Sequence, residues 1–344
     1  MITLLYITDL HLSDIPPGRR ADNYKASIFD KLKYVRNRAH ELNADVLCGG
    51  DWFHYKNPKA VGNPLSLIEE SIREARAFPN GRIIGNVGNH DIQFDRMDTL
   101  SGQPLGLMMA AGVYDNVVTK PLTLKKGDVV VVIKSFPYTD NNEQLLEWVK
   151  AYRRTATLSQ LDQESQVYSV GVLHAYGHPE PKYAALGMSG ISYDPIGYDA
   201  LAGTDFDVIL WGHDHRPRRS VQVGGIWHVA PGSLARAAFE NDLRDRPIRM
   251  ANLQFSKNSL TVAEESIPAK PFSAVFQAAD KDAIAVAATA ADQNSRGVPD
   301  MDSYLAEVDS SVGTVDASDS AAVLKSLADD GRVLDAALEV CGLR

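Results

Sequence analysis

The chain reads as an α/β protein, a two-sheet β-sandwich flanked by helices. Short apolar runs of strand length recur along the first 250 residues, and amphipathic stretches at helical spacing separate the early ones. From Asp128 onward strands dominate. With 344 residues, 44% of them hydrophobic, the chain can bury a full core and hold one large domain plus a smaller one.

In order, residues 2–7, 45–48, 83–87, 129–133, 167–173, 208–211 and 226–230 read as buried strands. Ile28, Leu32, Val35, Ala39 and Leu42 recur at helical spacing, as do Leu65, Ile68, Ile72 and Ala75. A further helix is expected near 143–155, beside a second, more antiparallel sheet. Around residues 267–271 the composition shifts to Ala, Asp and Ser. This divides the chain into a main domain, 1–265, and a small acidic, Ala-rich C-terminal helical extension, 266–344, with helices expected near 280–291 and 320–340. The extension is expected to be a helical cap or a partner-docking segment.

The net charge of −9 is uneven. Residues 265–344 hold 6 Lys and Arg against 14 Asp and Glu, whereas the preceding residues hold 29 against 30. The main domain is therefore nearly neutral, and a polyanionic substrate stays open. Two cysteines, Cys48 and Cys341, exclude a disulfide framework and fit a reducing compartment. The start of the chain lacks the basic and small-residue marks of a signal peptide and is too short to span a membrane. A cytoplasmic, non-membrane protein is expected.

Five short motifs each follow a predicted strand: Asp9-Leu10-His11, Gly50-Asp51, Gly88-Asn89-His90-Asp91, His174, and Gly212-His213-Asp214-His215. Residues at the carboxyl ends of strands point into one shared crevice. Carboxylates mixed with imidazoles suit Mn, Fe or Zn; an Asp can bridge two ions, and an Asn adds a neutral oxygen. Glycines before Asp51, Asn89 and His213 are expected to turn the backbone and clear space for a substrate. Two ions held this way can clamp a phosphate and acidify a water. Singly, each motif also fits a turn or a core histidine; together and in order they point to a metal centre. Five of the nine histidines fall within them.

This set resembles the calcineurin-like metallophosphoesterase superfamily, over roughly residues 1–265. The resemblance implies the αββα metallophosphoesterase fold and two divalent ions, Mn2+ foremost, with Fe2+, Zn2+ or Mg2+ as alternatives. It implies that Asp9, His11, Asp51 and His215 hold one ion and that Asp51, Asn89, His174 and His213 hold the other. His90 would face the phosphate and stabilise or protonate the leaving oxygen, with Asp91 as its orienter.

A narrower similarity is to SbcD-type DNA double-strand-break-repair nucleases and their phage relatives. It rests on Gly50-Asp51-Trp52-Phe53-His54, on residues 87–90 followed by Gln103-Pro104-Leu105-Gly106, and on Pro231-Gly232-Ser233-Leu234-Ala235-Arg236. It implies a Mn-dependent DNA exonuclease or endonuclease acting in end processing, repair or recombination, with His54 beside the scissile phosphate. It also implies a homodimer bound to an SMC-like ATPase subunit of the SbcC type. Deleting 270–344 is expected to leave basal nuclease activity and remove ATPase binding.

Arg216, Arg218 and Arg236 are the substrate candidates among the basic residues near the motifs, which also include Arg19, Arg20, Arg219, Arg244, Arg246 and Arg249. Ordinary solvated charge is the alternative for any one of them. Tyr176, Tyr183, Tyr193 and Tyr198 are expected in turns or core, His40 and His228 as structural, and His178 as ambiguous. The competing function is a phosphodiesterase or phosphatase for a small substrate such as a cyclic nucleotide. A non-enzymatic scaffold is disfavoured, because every carboxylate, Asn89 and His90 are present.

Overall fold

The computed structural model describes residues 1–276 apart from 18, 19, 58, 61, 155–164, 181–194 and 238–245. All of these lie in one compact unit, Met1–Ala278. The helices expected at 280–291 and 320–340, together with Arg19, Tyr183, Tyr193, Arg244 and Cys341, lie outside the described residues.

The first half of the chain forms β1 (Ile2–Ile7), α1 (Tyr24–Leu42), β2 (Asp45–Cys48), α2 (Leu65–Arg76), β3 (Ile83–Gly85), α3 (Pro104–Ala110) and β4 (Tyr114–Asn116). Then come β5 (Leu122–Lys126), β6 (Val129–Phe136), α4 (Asn142–Ala151), β7 (Gln166–Ala175), β8 (Gly177–His178) and β9 (Ile196–Gly197). The last described elements are β10 (Val208–His213), β11 (Arg218–Val223), β12 (Ile226–Ala230), β13 (Arg249–Phe255), β14 (Leu260–Ser266) and the single turn α5 (Phe272–Val275).

Two six-stranded mixed sheets result. One runs β14-β13-β1-β2-β3-β4, the other β11-β12-β10-β7-β6-β5. In the first, β1 to β4 are parallel and β13 is antiparallel to β1. In the second, β6, β7, β10 and β12 are parallel, with antiparallel edges β5 and β11. The second sheet is thus no more antiparallel than the first, which corrects the sequence expectation. Runs such as 129–133 are buried at every position, the pattern of a parallel strand covered on both faces.

The side-chain period of two builds the layers. Leu4 and Tyr6 of β1 enter the core between the sheets with Leu47, Val131, Val170, Leu210 and Phe255. Leu5 and Ile7 face the other way, onto Ile28, Leu32, Val35 and Ala39 of α1. On the far side, Ile209 and Trp211 of β10 pack on Leu145 and Val149 of α4. Each such side chain contributes about 1.5–3 kcal/mol on burial. Helix α1 begins where the Asn23 side chain accepts from the Ala26 N–H, and ends at Asn43, a left-handed cap.

This arrangement positions the site. The carboxyl ends of β1, β2 and β3 in one sheet, and of β7 and β10 in the other, carry the five motifs. Among the described residues no helix is long and apolar enough to cross a membrane.

Candidate active site

The loops after β1 and β2 run side by side. The Asp9 N–H donates to the Gly50 carbonyl at 3.2 Å, and the His11 N–H to the Asp51 carbonyl at 3.0 Å. Tyr24 of α1 pins this loop through its hydroxyl, which donates to the His11 carbonyl at 2.8 Å. Asp9, His11, Asp51 and His213 all adopt positive φ, at 52°, 46°, 52° and 81°. Side chains rarely occupy that region, and each such residue costs on the order of 1–3 kcal/mol.

Gly50 turns the backbone as expected, but the space that Gly50 and Gly88 leave is taken by protein. Gly50 has φ of 110°, and a Cβ there would lie 2.7 Å from the Gly88 nitrogen. At Gly88 a Cβ would lie 2.1 Å from the Asp51 carboxylate. Their lack of a side chain lets loop press on loop, rather than clearing room for a substrate.

Two donor sets converge. In the first, His11 Nε2 and His215 Nε2 face each other at 2.9 Å, with Asp9 Oδ1 at 4.0 and 3.8 Å. In the second, Asn89 Oδ1 lies 3.2 Å from His174 Nε2 and 3.1 Å from His213 Nδ1. Asp51 Oδ2 stands between the sets, 3.6 Å from His11 Nε2 and 3.4 Å from His174 Nε2. Its Oδ1 accepts from the His90 backbone N–H at 2.8 Å. Asp9 is braced by the Thr8 hydroxyl at 2.6 Å and by the His213 N–H.

This donor chemistry fits two divalent cations. Burial pushes His11 well below its ordinary value and His213 to about 3, so both imidazoles are neutral, the form that binds metal. Burial also depresses His174, but the Asp51 carboxylate outweighs it and lifts the ring to about 9. Its Nδ1–H donates to the Gly49 carbonyl at 2.8 Å. The second proton therefore sits on Nε2 and faces Asp51, where a cation would replace it. Burial raises Asp9; Asp51 too is buried, yet the facing histidines, His174 first, hold it well below the carboxylate range.

Beside these sets, His11, His54 and His90 form a third cluster. The His54 and His90 rings stack at 5.4 Å and 23°. His90 Nδ1 contacts the His54 backbone carbonyl at 2.5 Å, and among the described residues Nε2 has no hydrogen-bond partner. Burial takes the His54 ring to about 4, and its Nδ1 is buried with no hydrogen-bond partner among the described residues.

A family model described as calcineurin-like phosphoesterase matches residues 2–217. The chain belongs to that family. Membership implies a metal-dependent hydrolase with a dinuclear centre, which the two donor sets fit. This phosphoesterase is 24% identical over 282 residues to the "Double-strand break repair protein mre-11" of Caenorhabditis elegans, covering 68% of this chain and 36% of that one. It is also 28% identical over 171 residues to a D-alanine–D-alanine ligase of Lactobacillus helveticus, covering 47% and 46%. Among solved structures it is similar to the purple acid phosphatase PPD1 of yellow lupin, at TM-score 0.49 and 15% identity over 78% of this chain and 52% of that one. The chain thus spans less than half the length of either curated relative.

Elsewhere in the phosphoesterase the structure redistributes several expected roles. Asp91 bonds not to the His90 ring but to the loops: its carboxylate accepts from the N–H groups of Asp51 at 2.7 Å, Gly88 at 2.9 Å and Trp52 at 3.2 Å. The His54 carbonyl makes the orienting contact on His90 instead. Burial and the neighbouring Asp51 lift Asp91 to about 7. Arg236 places its guanidinium on the Lys270 and Arg246 carbonyls, which gives it an anchoring role in place of the expected substrate contact. Arg246 is buried and donates to Ser233 and Ala235. The loop it holds backs the metal site, through Leu234 N–H to Thr8, Ala235 N–H to Asp9 and Ser233 N–H to His215. Arg218 pairs with Asp214 and Tyr176, and the Arg216 N–H donates to Asp214.

Sequence reasoning missed Thr8, Tyr24 and Tyr138. The Tyr138 ring lies 5.3 Å from His213, just past the carboxyl end of β6. Position after a parallel strand was the available signal.

Proposed function

We propose that this phosphoesterase is a two-metal phosphodiesterase acting on DNA, a Mn-dependent exonuclease or endonuclease of end processing. The observation that carries the phosphodiesterase reading is the single Asp51 carboxylate oxygen held between His11 and His174, one from each donor set. Similarity over 68% of the chain to a protein named for double-strand break repair supports DNA as the substrate.

Asp9, His11, Asp51 and His215 would hold one ion, and Asp51, Asn89, His174 and His213 the other. When bound, the ions supply charge neutralisation for the phosphoryl oxygens and acidify a water. The chain supplies the rest. His90, whose Nδ1–H is steered by the His54 carbonyl, presents Nε2 to the leaving oxygen and stabilises it or, when the ring carries a second proton on Nε2, protonates it. The neutral His54 ring, stacked on His90, stands where it can hydrogen-bond a phosphate oxygen. Arg216 contacts backbone phosphate, with Arg218 held beside it.

The test uses purified protein with Mn2+ on end-labelled linear and closed circular DNA, beside His90→Ala. Cleavage that His90→Ala removes while metal content holds supports the reading. Fast turnover of cyclic nucleotides with none of DNA would replace it with a small-substrate phosphodiesterase.

A homodimer and an SMC-like ATPase partner belong to the same reading. Residues 267–276 belong to the same compact unit as the five motifs. Ile267, Val275 and Phe276 are buried, the Ala21 N–H donates to the Val275 carbonyl at 2.9 Å, and the Arg20 guanidinium lies 5.3 Å from the Phe276 ring centre. A deletion should therefore begin at 277. It is expected to keep nuclease activity and lose ATPase binding; retained binding would end the docking idea.

A further inference from the structure

Four residues past His90, Phe94 stands 83% exposed, the most exposed large apolar side chain among the described residues. It occupies the tip of a tight turn in which the Arg96 N–H donates to the Gln93 carbonyl at 3.0 Å and Gln93 bridges Arg96. Phe94 and Asp95 have φ of 53° and 52°. Two positive φ values at the centre of a turn are ordinarily supplied by pairs such as Asn-Gly. Here a bulky aromatic takes the first position, strained in its backbone and wetted on its ring.

Side-chain hydrogen bonds tie the turn down. The Gln93 N–H donates to Thr99 Oγ1 at 2.9 Å, and that hydroxyl donates to the Arg96 carbonyl at 2.6 Å. The root of the turn is equally fixed, because Asp91 and Ile92 are buried beneath the metal loops. Four residues span at most about 14 Å, so the ring stands within a few nucleotide steps of the phosphate that His90 would face. A rigid, exposed ring at that range is suited to one contact above others, the face of a base.

We propose that Phe94 is a stacking platform for a nucleobase of the strand held at the metal centre. The proposal rests on the DNA reading given above. It makes the strain intelligible: the turn holds the ring out of the core so that a base can cover it.

The test compares wild type, Phe94→Gly and Phe94→Trp with Mn2+ on two single-stranded oligonucleotides, one bearing bases throughout and one abasic around the cleavage point. Phe94→Gly is expected to cut the base-bearing strand about ten-fold more slowly and the abasic strand at the wild-type rate. It should also melt at a higher temperature, since glycine relieves the positive φ. Phe94→Trp should keep wild-type cleavage. An equal loss on both strands, no loss on either, or a change in sedimentation showing that a second copy of the chain covers Phe94 would overturn the platform. If wild type cuts neither strand nor duplex DNA, the DNA reading itself falls and takes the platform with it.

Discussion

The Asp91 carboxylate accepts the backbone N–H of Asp51 at 2.7 Å, and it does so while Asp51 holds a φ of 52°. One buried acid thus fixes the peptide that aims another. The same carboxylate gathers Gly88 and Trp52, so that the loops after β2 and β3 share one anchor. Asp91→Asn replaces one acceptor oxygen with an N–H2 that faces other N–H groups. Metal affinity is expected to fall roughly 10–100-fold, measured by metal content after dialysis and by titration calorimetry. Unchanged affinity with lost turnover would return Asp91 to the role of orienting His90.

His90 and His54 separate cleanly by variant. His90→Ala removes the proton donor, and turnover should drop about 10²–10⁴-fold with metal content unchanged. His54→Ala removes a ring but keeps the backbone carbonyl that steers His90, so its loss should be the smaller one and should fall mainly on KM. Equal kcat losses in the two variants would show that His54 does more than bind phosphate. Loss of metal from His90→Ala would instead place that side chain among the ligands.

Arg246 supports the centre from behind. Its guanidinium donates to Ser233 Oγ at 2.8 Å, to the Ser233 carbonyl at 2.9 Å and to the Ala235 carbonyl. Arg246→Ala leaves those buried acceptors without their donor, which should lower stability by about 3 kcal/mol or more in urea titrations and weaken metal retention. Stability equal to wild type with weaker DNA binding would make Arg246 a substrate contact.

His228 should make the fold acid-sensitive through a group that is not among the expected metal ligands. Burial takes its ring to about 4, Tyr198 stacks on it at 4.3 Å, and the Trp211 indole N–H donates to its Nδ1 at 3.2 Å. The native state keeps it neutral, whereas the unfolded chain takes up a proton near pH 6.5. Between about pH 6.5 and 4 the unfolded state binds more protons, so stability falls as pH falls, by about 3 kcal/mol in total for this group. His228→Gln keeps an acceptor for Trp211, and its melting temperature should decline less than that of wild type from pH 7 to 4.5. Parallel declines would mean that His228 is protonated in the native state.

Much of this protein was legible in local pattern. The runs 2–7, 45–48 and 226–230 coincide with β1, β2 and β12, because a buried strand announces itself by consecutive apolar residues. The spacing of Ile28, Leu32, Val35 and Ala39 marks the face that α1 buries. The short elements β4 and α3, and the half-exposed edges β5, β11 and β14, have no such signature, since edge strands need not alternate strictly.

By itself the sequence determined which side chains meet. Asp9, His11, Asp51, Asn89, His174, His213 and His215 each stand at or just past a strand's carboxyl end, and chain direction in a parallel sheet brings those ends together. Only the tertiary structure decided how they meet. That His174 gives Nδ1 to Gly49, 125 residues away in the chain, that Asp91 holds the backbone of Asp51, 40 residues away, rather than His90, and that Arg236 and Arg246 serve carbonyls 34 and 13 residues away all depend on loops that meet only in the folded chain. Hydrogen bonds of that kind are set by where donors and acceptors arrive in space, and no local period in the chain encodes it.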